Sequence, residues 1–298
     1  MIMMNVPKIT KKMYPQYLLL PAVLLYFVLF LIPNFASFYY AFTNWNVVST
    51  TIKFIGLDNF REMFSSSAGN GDVFKNTAIF ALCTTVLKIG FGLVLALLLN
   101  EGIRSRNVLR AVYFLPITIS TVLLGVMFSE IFSPQGILNH FLTGIGLESW
   151  THSWIAEPKL AIWSISLVEI WRASGFAMAV FLAALQMIPK EIYEAVEMDG
   201  AKSFQKLVHI TLPYLYQAFV INTLLGLISG FKVFDLIYVL TNGGPARASE
   251  VFNVTILNEF SKGNYGLSTA MGLMLFLFIT IVYFFINAIF KKFEVDVS

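Results

Sequence analysis

Six long apolar segments constrain the fold of this 298-residue chain more than any other feature of its sequence. A helix needs roughly 20 apolar residues to cross about 30 Å of hydrocarbon, and every backbone polar group must be satisfied inside the bilayer. The composition agrees, because 57% of the residues are hydrophobic and only 12% are charged. We therefore predict an all-α membrane protein, a polytopic bundle of about six transmembrane helices. The predicted spans are residues 17–42, 76–99, 109–132, 160–186, 212–231 and 268–290.

A polar stretch at residues 188–213, which we call the elbow, separates the fourth and fifth apolar segments. Its sequence predicts a short amphipathic helix, a break at Asp199-Gly200, and a second short helix that ends at Pro213. Pro189 suits the first turn of a helix, where a missing N–H costs nothing. In the second helix, four residues at i, i+3, i+4 and i+7 form one apolar face: Phe204, Leu207, Val208 and Thr211.

A charged helical elbow between two membrane spans offers a docking surface to a partner in the aqueous phase. The alternative is a helix that lies on the lipid surface. In that position the acidic residues of the elbow would face anionic headgroups, and we therefore favour docking to a protein. These acidic residues are Glu191, Glu194, Glu197 and Asp199.

Lys and Arg residues are concentrated before the first span, between the second and third spans, in the elbow and in the C-terminal tail. The loops on the opposite side carry fewer of them, spread over longer sequence. The positive-inside rule therefore predicts that both termini and the elbow lie in the cytoplasm. On this basis the chain divides into a cytoplasmic N-terminal arm (1–16), a transmembrane domain (17–290) and a cytoplasmic tail (291–298).

Sequence motifs of enzymes are missing. Neither a GxxxxGK[ST] phosphate loop nor an HExxH zinc motif occurs, and the single cysteine, Cys83, allows no disulfide within the chain. No run of basic residues with interleaved aromatics suggests nucleic-acid binding. We expect no catalytic residue, no metal and no cofactor, so the energy for any transport must come from a partner or from an ion gradient.

The elbow also carries a family resemblance. Three of its short motifs resemble the EAA loop of ABC importer permeases: Glu194-Ala195, Asp199-Gly200-Ala201 and Ile210-Thr211-Leu212-Pro213. The pattern departs at Val196, where the family usually has a second Ala. In that family the loop forms a coupling helix that sits in a groove of the ATPase subunit. The resemblance implies an ATPase-coupling role for Glu194, Ala195, Asp199, Gly200 and Ala201.

The resemblance extends over most of the chain. Five further segments are similar to carbohydrate-import permeases typified by the maltose and glycerol-3-phosphate systems: 19–45, 54–60, 115–120, 181–195 and 234–245. It implies a type I ABC importer permease, in the bacterial cell membrane, for a carbohydrate of oligosaccharide size. The implied partners are a second homologous permease, two cytoplasmic ATPase subunits that bind the ATP, and an extracytoplasmic solute-binding protein.

Sugar recognition requires aromatic faces against C–H surfaces and amide or hydroxyl groups for the sugar hydroxyls. By resemblance, substrate contacts should cluster near mid-membrane on the fourth and fifth spans. We predict a substrate pathway that includes Trp171, Gly175, Phe176 and Asn222, with Gly175 permitting close approach of the backbone. Ordinary helix packing is the alternative for each aromatic residue.

Four charged residues lie in or at the ends of apolar segments: Lys88, Glu130, Glu169 and Arg172. A charge near the bilayer centre is costly, so each should face protein or a water-filled path. Glu169 and Arg172 are spaced i, i+3 and can pair on one helix face. This pair either locks helices together or lines the pathway, and both hypotheses stay open. We interpret Lys88 and Glu130 as structural or interfacial.

The segment TNGGPARAS (241–249) predicts a tight turn, because a glycine pair precedes a proline. Two interpretations stay open for it. It is either a surface connection or, by resemblance, a contact of the docked binding protein outside the membrane.

An ion-coupled secondary transporter that works without an ATPase is the alternative function. Such a protein would need ion-binding carboxylates at a broken helix, often in inverted repeats. We expect no pair of half-helices broken by Gly or Pro in this chain, and the elbow would have no role in such a transporter. A membrane-bound enzyme would need clustered Asp or His at one membrane face, and no such cluster occurs in the sequence.

Overall fold

A computed structural model describes residues 16–65, 69–100 and 104–292. The predicted N-terminal arm lies outside these ranges except for Gln16, and the predicted tail lies outside them beyond Lys292. The described helices, in chain order, are α1 (Tyr17–Tyr40), α2 (Asp58–Met63), α3 (Asn70–Asn100), α4 (Arg106–Thr118), α5 (Thr121–Ile131), α6 (Ile137–Gly144), α7 (Ala161–Gln186), α8 (Lys190–Met198), α9 (Ser203–Tyr214), α10 (Tyr216–Phe231), α11 (Asp235–Thr241), α12 (Phe252–Ser261) and α13 (Tyr265–Lys292).

Four of these helices, α1, α3, α7 and α13, are each long and apolar enough to cross a membrane. Within the described ranges, two more spans arise if each of two bent helix pairs is taken as one span. The predicted helical membrane bundle is therefore confirmed, with four to six spans. Helix α3 begins at Asn70, several residues before its predicted start, and α13 runs two residues beyond its predicted end.

The two bent pairs correct the expectation that the chain has no broken half-helices. Helices α4 and α5 meet at 95°, and α9 and α10 meet at 63°. Each break follows a proline, which removes a backbone hydrogen bond and clashes with the preceding turn. Pro116 lies in the last turn of α4, and the chain then becomes extended at Ile119 and Ser120. Pro213 precedes the break at Leu215.

The centre of the bundle is formed by α3, α7 and α10. Small residues let these helices approach closely, as is usual where membrane helices pack together. A Cβ placed on Gly92 of α3 would lie 2.6 Å from the Cβ of Ala177 on α7. One placed on Gly230 of α10 would lie 2.6 Å from the Cα of Ala81 on α3. These contacts hold α7 and α10 against the same central helix.

Helix α1 lies at the periphery of the bundle. None of its most apolar 18-residue stretch is buried inside the chain. It touches α13, where the rings of Phe38 and Phe276 lie 5.8 Å apart. Most of its apolar surface is therefore available to lipid or to another subunit.

The TNGGPARAS segment is anchored to the bundle at one end of α3. The side-chain amide nitrogen of Asn76 donates to the backbone carbonyl oxygens of Arg247 and Glu250, each at 3.2 Å. The hydroxyls of Thr241 and Ser249 lie 2.7 Å apart. The segment is thus an ordered turn whose outer residues, Asn242 and Arg247 among them, are exposed. Both interpretations of the segment remain compatible with this geometry.

Candidate functional site

The elbow has the predicted helix–break–helix form. Helix α8 begins after Pro189 and ends at Met198, and α9 begins at Ser203. Gly200 lies in the break with a φ of +76°. Glycine adopts this left-handed conformation without the steric cost that a Cβ would bring. The second helix runs one residue past Pro213, to Tyr214.

Side-chain contacts tie the two elbow helices together. The Lys206 ammonium donates to Glu197 Oε1 at 2.5 Å, and the hydroxyls of Tyr193 and Thr211 lie 3.1 Å apart. Tyr193 also packs against the buried cluster that contains Leu99 and Phe181. These contacts give the elbow the geometry of one stiff unit attached to the end of the bundle.

The outer surface of the elbow, with Met187 immediately before it, exposes large apolar side chains among charged ones. Met187 is 81% exposed, Met198 is 89% exposed and Phe204 is 74% exposed. Exposed apolar groups rimmed by polar residues mark an interaction surface. The predicted apolar face of α9 is therefore divided: Phe204 points away from the bundle, whereas Thr211 is buried.

The predicted coupling residues lie together at this surface. Four of them are exposed: Glu194, Ala195, Asp199 and Gly200. Ala201, in the break just before α9, is half-buried. The sequence prediction did not include Met187 and Met198, whose exposure depends on the way the elbow folds and cannot be inferred from their apolar character.

A cavity of about 260 Å³ lies between α3, α7 and α10. Polar and charged side chains on its wall include Lys88, Glu169, Arg172 and Asn222. A second cavity, of about 410 Å³, shares Glu169 and Arg172 with the first and extends to Lys232 beyond the end of α10. The two cavities follow the same faces of α7 and α10, the two helices that the elbow joins.

An ion cluster lies where the two cavities meet. Arg172 donates to Glu169 through Nε at 2.9 Å and through Nη2 at 3.2 Å, which confirms the predicted i, i+3 pair. Lys88 of α3 joins them, with its Nζ 3.5 Å from Glu169 Oε1. Sequence reasoning identified Lys88 as an intramembrane charge but missed this partner, because nothing in one sequence connects residues so far apart along the chain.

Two polar groups on the cavity wall are buried without a hydrogen-bond partner among the described residues. They are the side-chain amide nitrogen of Asn222 and the hydroxyl of Thr85. Leaving a buried donor or acceptor unsatisfied costs about 1–3 kcal/mol. A bound polar molecule would remove this cost, so these groups are suited to contact a ligand.

The four residues predicted for the substrate pathway do not come together in one place. Phe176 and Asn222 line the cavity. Trp171 lies against Phe128 of α5, with ring centroids 5.6 Å apart. Gly175 lies at a helix crossing, where a Cβ would overlap the carbonyl oxygen of Tyr113 on α4. The backbone that approaches Gly175 closely is thus that of α4.

Known proteins resemble this chain in sequence and in fold. The family model for the binding-protein-dependent transport system inner membrane component matches residues 88–295. A probable ABC transporter permease protein of Bacillus subtilis, YurN, is 32% identical over 265 residues, which cover 87% of this chain and 90% of that protein. The trehalose/maltose transport system permease protein MalF of Thermococcus litoralis is 30% identical over 270 residues, or 89% of this chain and 90% of that protein.

A solved structure shows the same fold. One chain of a bacterial ABC transporter involved in the import of the acidic polysaccharide alginate superposes with a TM-score of 0.82 and 24% sequence identity. The match covers 96% of this chain and 99% of that one. Since the family model spans more than half of the chain and the relatives span nearly all of it, this chain belongs to the family of binding-protein-dependent transport system inner membrane components, the permeases of ABC importers, and it serves transport rather than catalysis.

Proposed function

We propose that this chain forms part of the pathway of an ATP-driven importer for a carbohydrate of oligosaccharide size. One observation carries the proposal: the elbow connects α7 and α10, and these two helices line the polar cavity. A force applied to the elbow would therefore displace two walls of the cavity, α7 and α10, at the same time. The substrate class is supported by relatives whose names refer to trehalose/maltose transport and to a multiple sugar-binding transport system.

We infer that ATPase subunits dock on the exposed face of the elbow in the cytoplasm. Met187, Met198 and Phe204 would be covered in such a contact. Glu194, Asp199 and Gly200 would contact or shape the interface, and Ala195 and Ala201 are small enough to let the helix seat closely. The arginines and lysines near the elbow and the C-terminal end of α13 support a cytoplasmic location for this side, in a bacterial cell membrane.

The remaining partners of the proposed importer are a second, homologous permease and an extracytoplasmic solute-binding protein. The exposed helix α1 supports the second permease, because another subunit could cover its apolar surface. The solute-binding protein is supported by a solved alginate transporter in complex with a periplasmic protein that holds an alginate pentasaccharide. The fold of the matching chain in that transporter superposes on this chain with a TM-score of 0.83.

The proposed mechanism is alternating access. The binding protein releases a sugar into the cavity from outside while two ATPase subunits close on ATP. Their movement reaches the bundle through the braced elbow and separates the cavity walls on the outer side. Hydrolysis of ATP then returns the elbow and opens the cavity to the cytoplasm. This chain contributes the path and the lever, and its partners bind the nucleotide.

One observation favours the alternative of an ion-coupled transporter, namely the two bent helix pairs. Broken helices coordinate ions in many secondary transporters. The buried carboxylate on the cavity wall, Glu169, already contacts Arg172 and Lys88 and is not free to hold a cation. The geometry therefore supports ATP-driven transport better.

Reconstitution in proteoliposomes tests this proposal. The importer, assembled with its second permease, ATPase and binding protein, should take up sugar with ATP and without any ion gradient. Glu194→Lys should abolish uptake but leave membrane insertion intact, whereas Glu148→Lys, an exposed change in the segment between α6 and α7, should transport normally. Uptake driven by a sodium or proton gradient in the absence of ATP would overturn the proposal.

A further inference from the structure

We propose that the cavity between α3, α7 and α10 selects an anionic carbohydrate, that is, an oligosaccharide that carries carboxylate groups along with its hydroxyls. This inference rests on the proposed function, because it assumes that the imported molecule passes through this cavity. It adds the charge class of the substrate, and it is argued from the charges and donors on the cavity wall.

The ion cluster in the cavity carries more positive than negative charge. Both oxygens of Glu169 are engaged by the guanidinium of Arg172, at 2.9 and 3.2 Å. Lys88 contacts only Oε1, at 3.5 Å, and shares that oxygen with Arg172. Two cations thus stand against one carboxylate. Since the Lys88 side chain is 7% exposed, bulk water does little to compensate its charge.

The adjoining cavity does not supply the missing negative charge. Its other charged lining residues are Lys232 and Asp235, one of each sign. Taken together, the linings of the two cavities keep one excess positive charge. An uncompensated charge at membrane depth is costly, and an anionic group on a passing molecule would offset that cost.

The neutral groups on the wall also favour a molecule rich in acceptors. The Asn222 amide nitrogen, on a residue that is 5% exposed, is a donor with no partner among the described residues. The Thr85 hydroxyl is in the same situation, on a residue that is 3% exposed. The carboxylate and hydroxyl oxygens of an acidic sugar can accept from both groups. Phe176 offers an aromatic surface to the C–H face of a sugar ring.

The test is equilibrium binding of labelled oligosaccharides to the assembled permease–ATPase complex, without the binding protein, which has a selectivity of its own. A neutral oligosaccharide is compared with one of equal length that contains uronic acids. The wild-type complex should bind the acidic sugar at least tenfold more tightly. Lys88→Met should reduce this preference to less than twofold, because the remaining Glu169–Arg172 pair is neutral. Lys53→Met, an exposed change in the loop after α1, should keep the preference.

Equal binding of the two sugars by the wild-type complex would overturn the inference, and this comparison needs no variant to fold. A preference that survives in Lys88→Met would overturn it as well. Failure of the proposed function has a different signature, since the complete importer would then take up neither sugar in response to ATP. Uptake of neutral sugars alone would leave the proposed function standing and remove the anionic substrate.

Discussion

Single residues determine how the elbow bends and what the cavity can bind. Gly200 supplies the left-handed turn between α8 and α9. Glu169 gathers Lys88 and Arg172 around one carboxylate. The spacing of Glu169 and Arg172 on a helix was enough to predict their pairing. The third member of the cluster could not be predicted, because its position depends on the packing of α3 against α7.

Gly200→Ala should weaken transport by straining the bend of the elbow. A Cβ in the left-handed region costs about 1–2 kcal/mol, which makes the bent conformation about 5 to 30 times less populated. Gly200→Asn is the matched control, since asparagine tolerates this region better than other residues with a side chain. Initial uptake rates of the reconstituted importer should fall several-fold for Ala and remain near wild type for Asn. Equal rates for Gly200→Ala and wild type would remove the turn from the mechanism.

Among the helices, the length of the apolar segments predicted the four long ones but not the bends. Apolar length predicted α1, α3, α7 and α13 to within several residues at their ends. It also predicted one span at 109–132, where the structure has the bent pair α4–α5. The boundary between α9 and α10 lies close to Pro213, where the second elbow helix was predicted to end. The prolines that precede both bends are visible in the sequence, but the direction and size of a bend depend on the neighbouring helices. Trp171 shows the same limit, since the face of α7 that meets the cavity is set by packing.

The contact between the two elbow helices should determine how tightly ATP hydrolysis is coupled to uptake. Tyr193→Phe removes the hydroxyl that contacts Thr211, a hydrogen bond worth about 0.5–1.5 kcal/mol, and retains the ring in its cluster. With a looser elbow, the ATPase subunits should hydrolyse about twofold to fivefold more ATP for each sugar imported. Tyr39→Phe, on exposed α1, should leave the ratio unchanged. The ratio is measured from parallel phosphate-release and sugar-uptake assays, and an unaltered value in Tyr193→Phe would show that the hydroxyl has no part in coupling.

At the scale of the whole molecule, the buried helices lie at the centre, and α1, α13 and the elbow expose apolar surface. Composition predicted a membrane protein, and the polar stretch between two spans predicted a docking surface. The family resemblance implies that an ATPase subunit is the partner for that surface. Neither could show which apolar side chains would stay uncovered, because exposure is a property of the folded chain.

Accessibility labelling checks whether the elbow is covered by the ATPase in the cytoplasm. In a chain with Cys83 replaced by Ser, Met198→Cys should react with a membrane-impermeant maleimide in inside-out vesicles when the permease is expressed without its ATPase. Co-expression of the ATPase should reduce the labelling at least fivefold. Val48→Cys, exposed in the loop after α1, should react only from the opposite side and regardless of the ATPase. Unchanged reactivity of Met198→Cys upon co-expression would rule out a contact at this position.

The exposed side chains of Met187, Met198 and Phe204, in and next to the elbow, have a consequence for protein abundance in the cell. A copy of this chain without its nucleotide-binding partner would expose hydrophobic side chains of the kind that chaperones and degradative proteases bind. Orphan copies should consequently be short-lived, and the amount of this subunit should follow the supply of its partner even when its own gene is overexpressed.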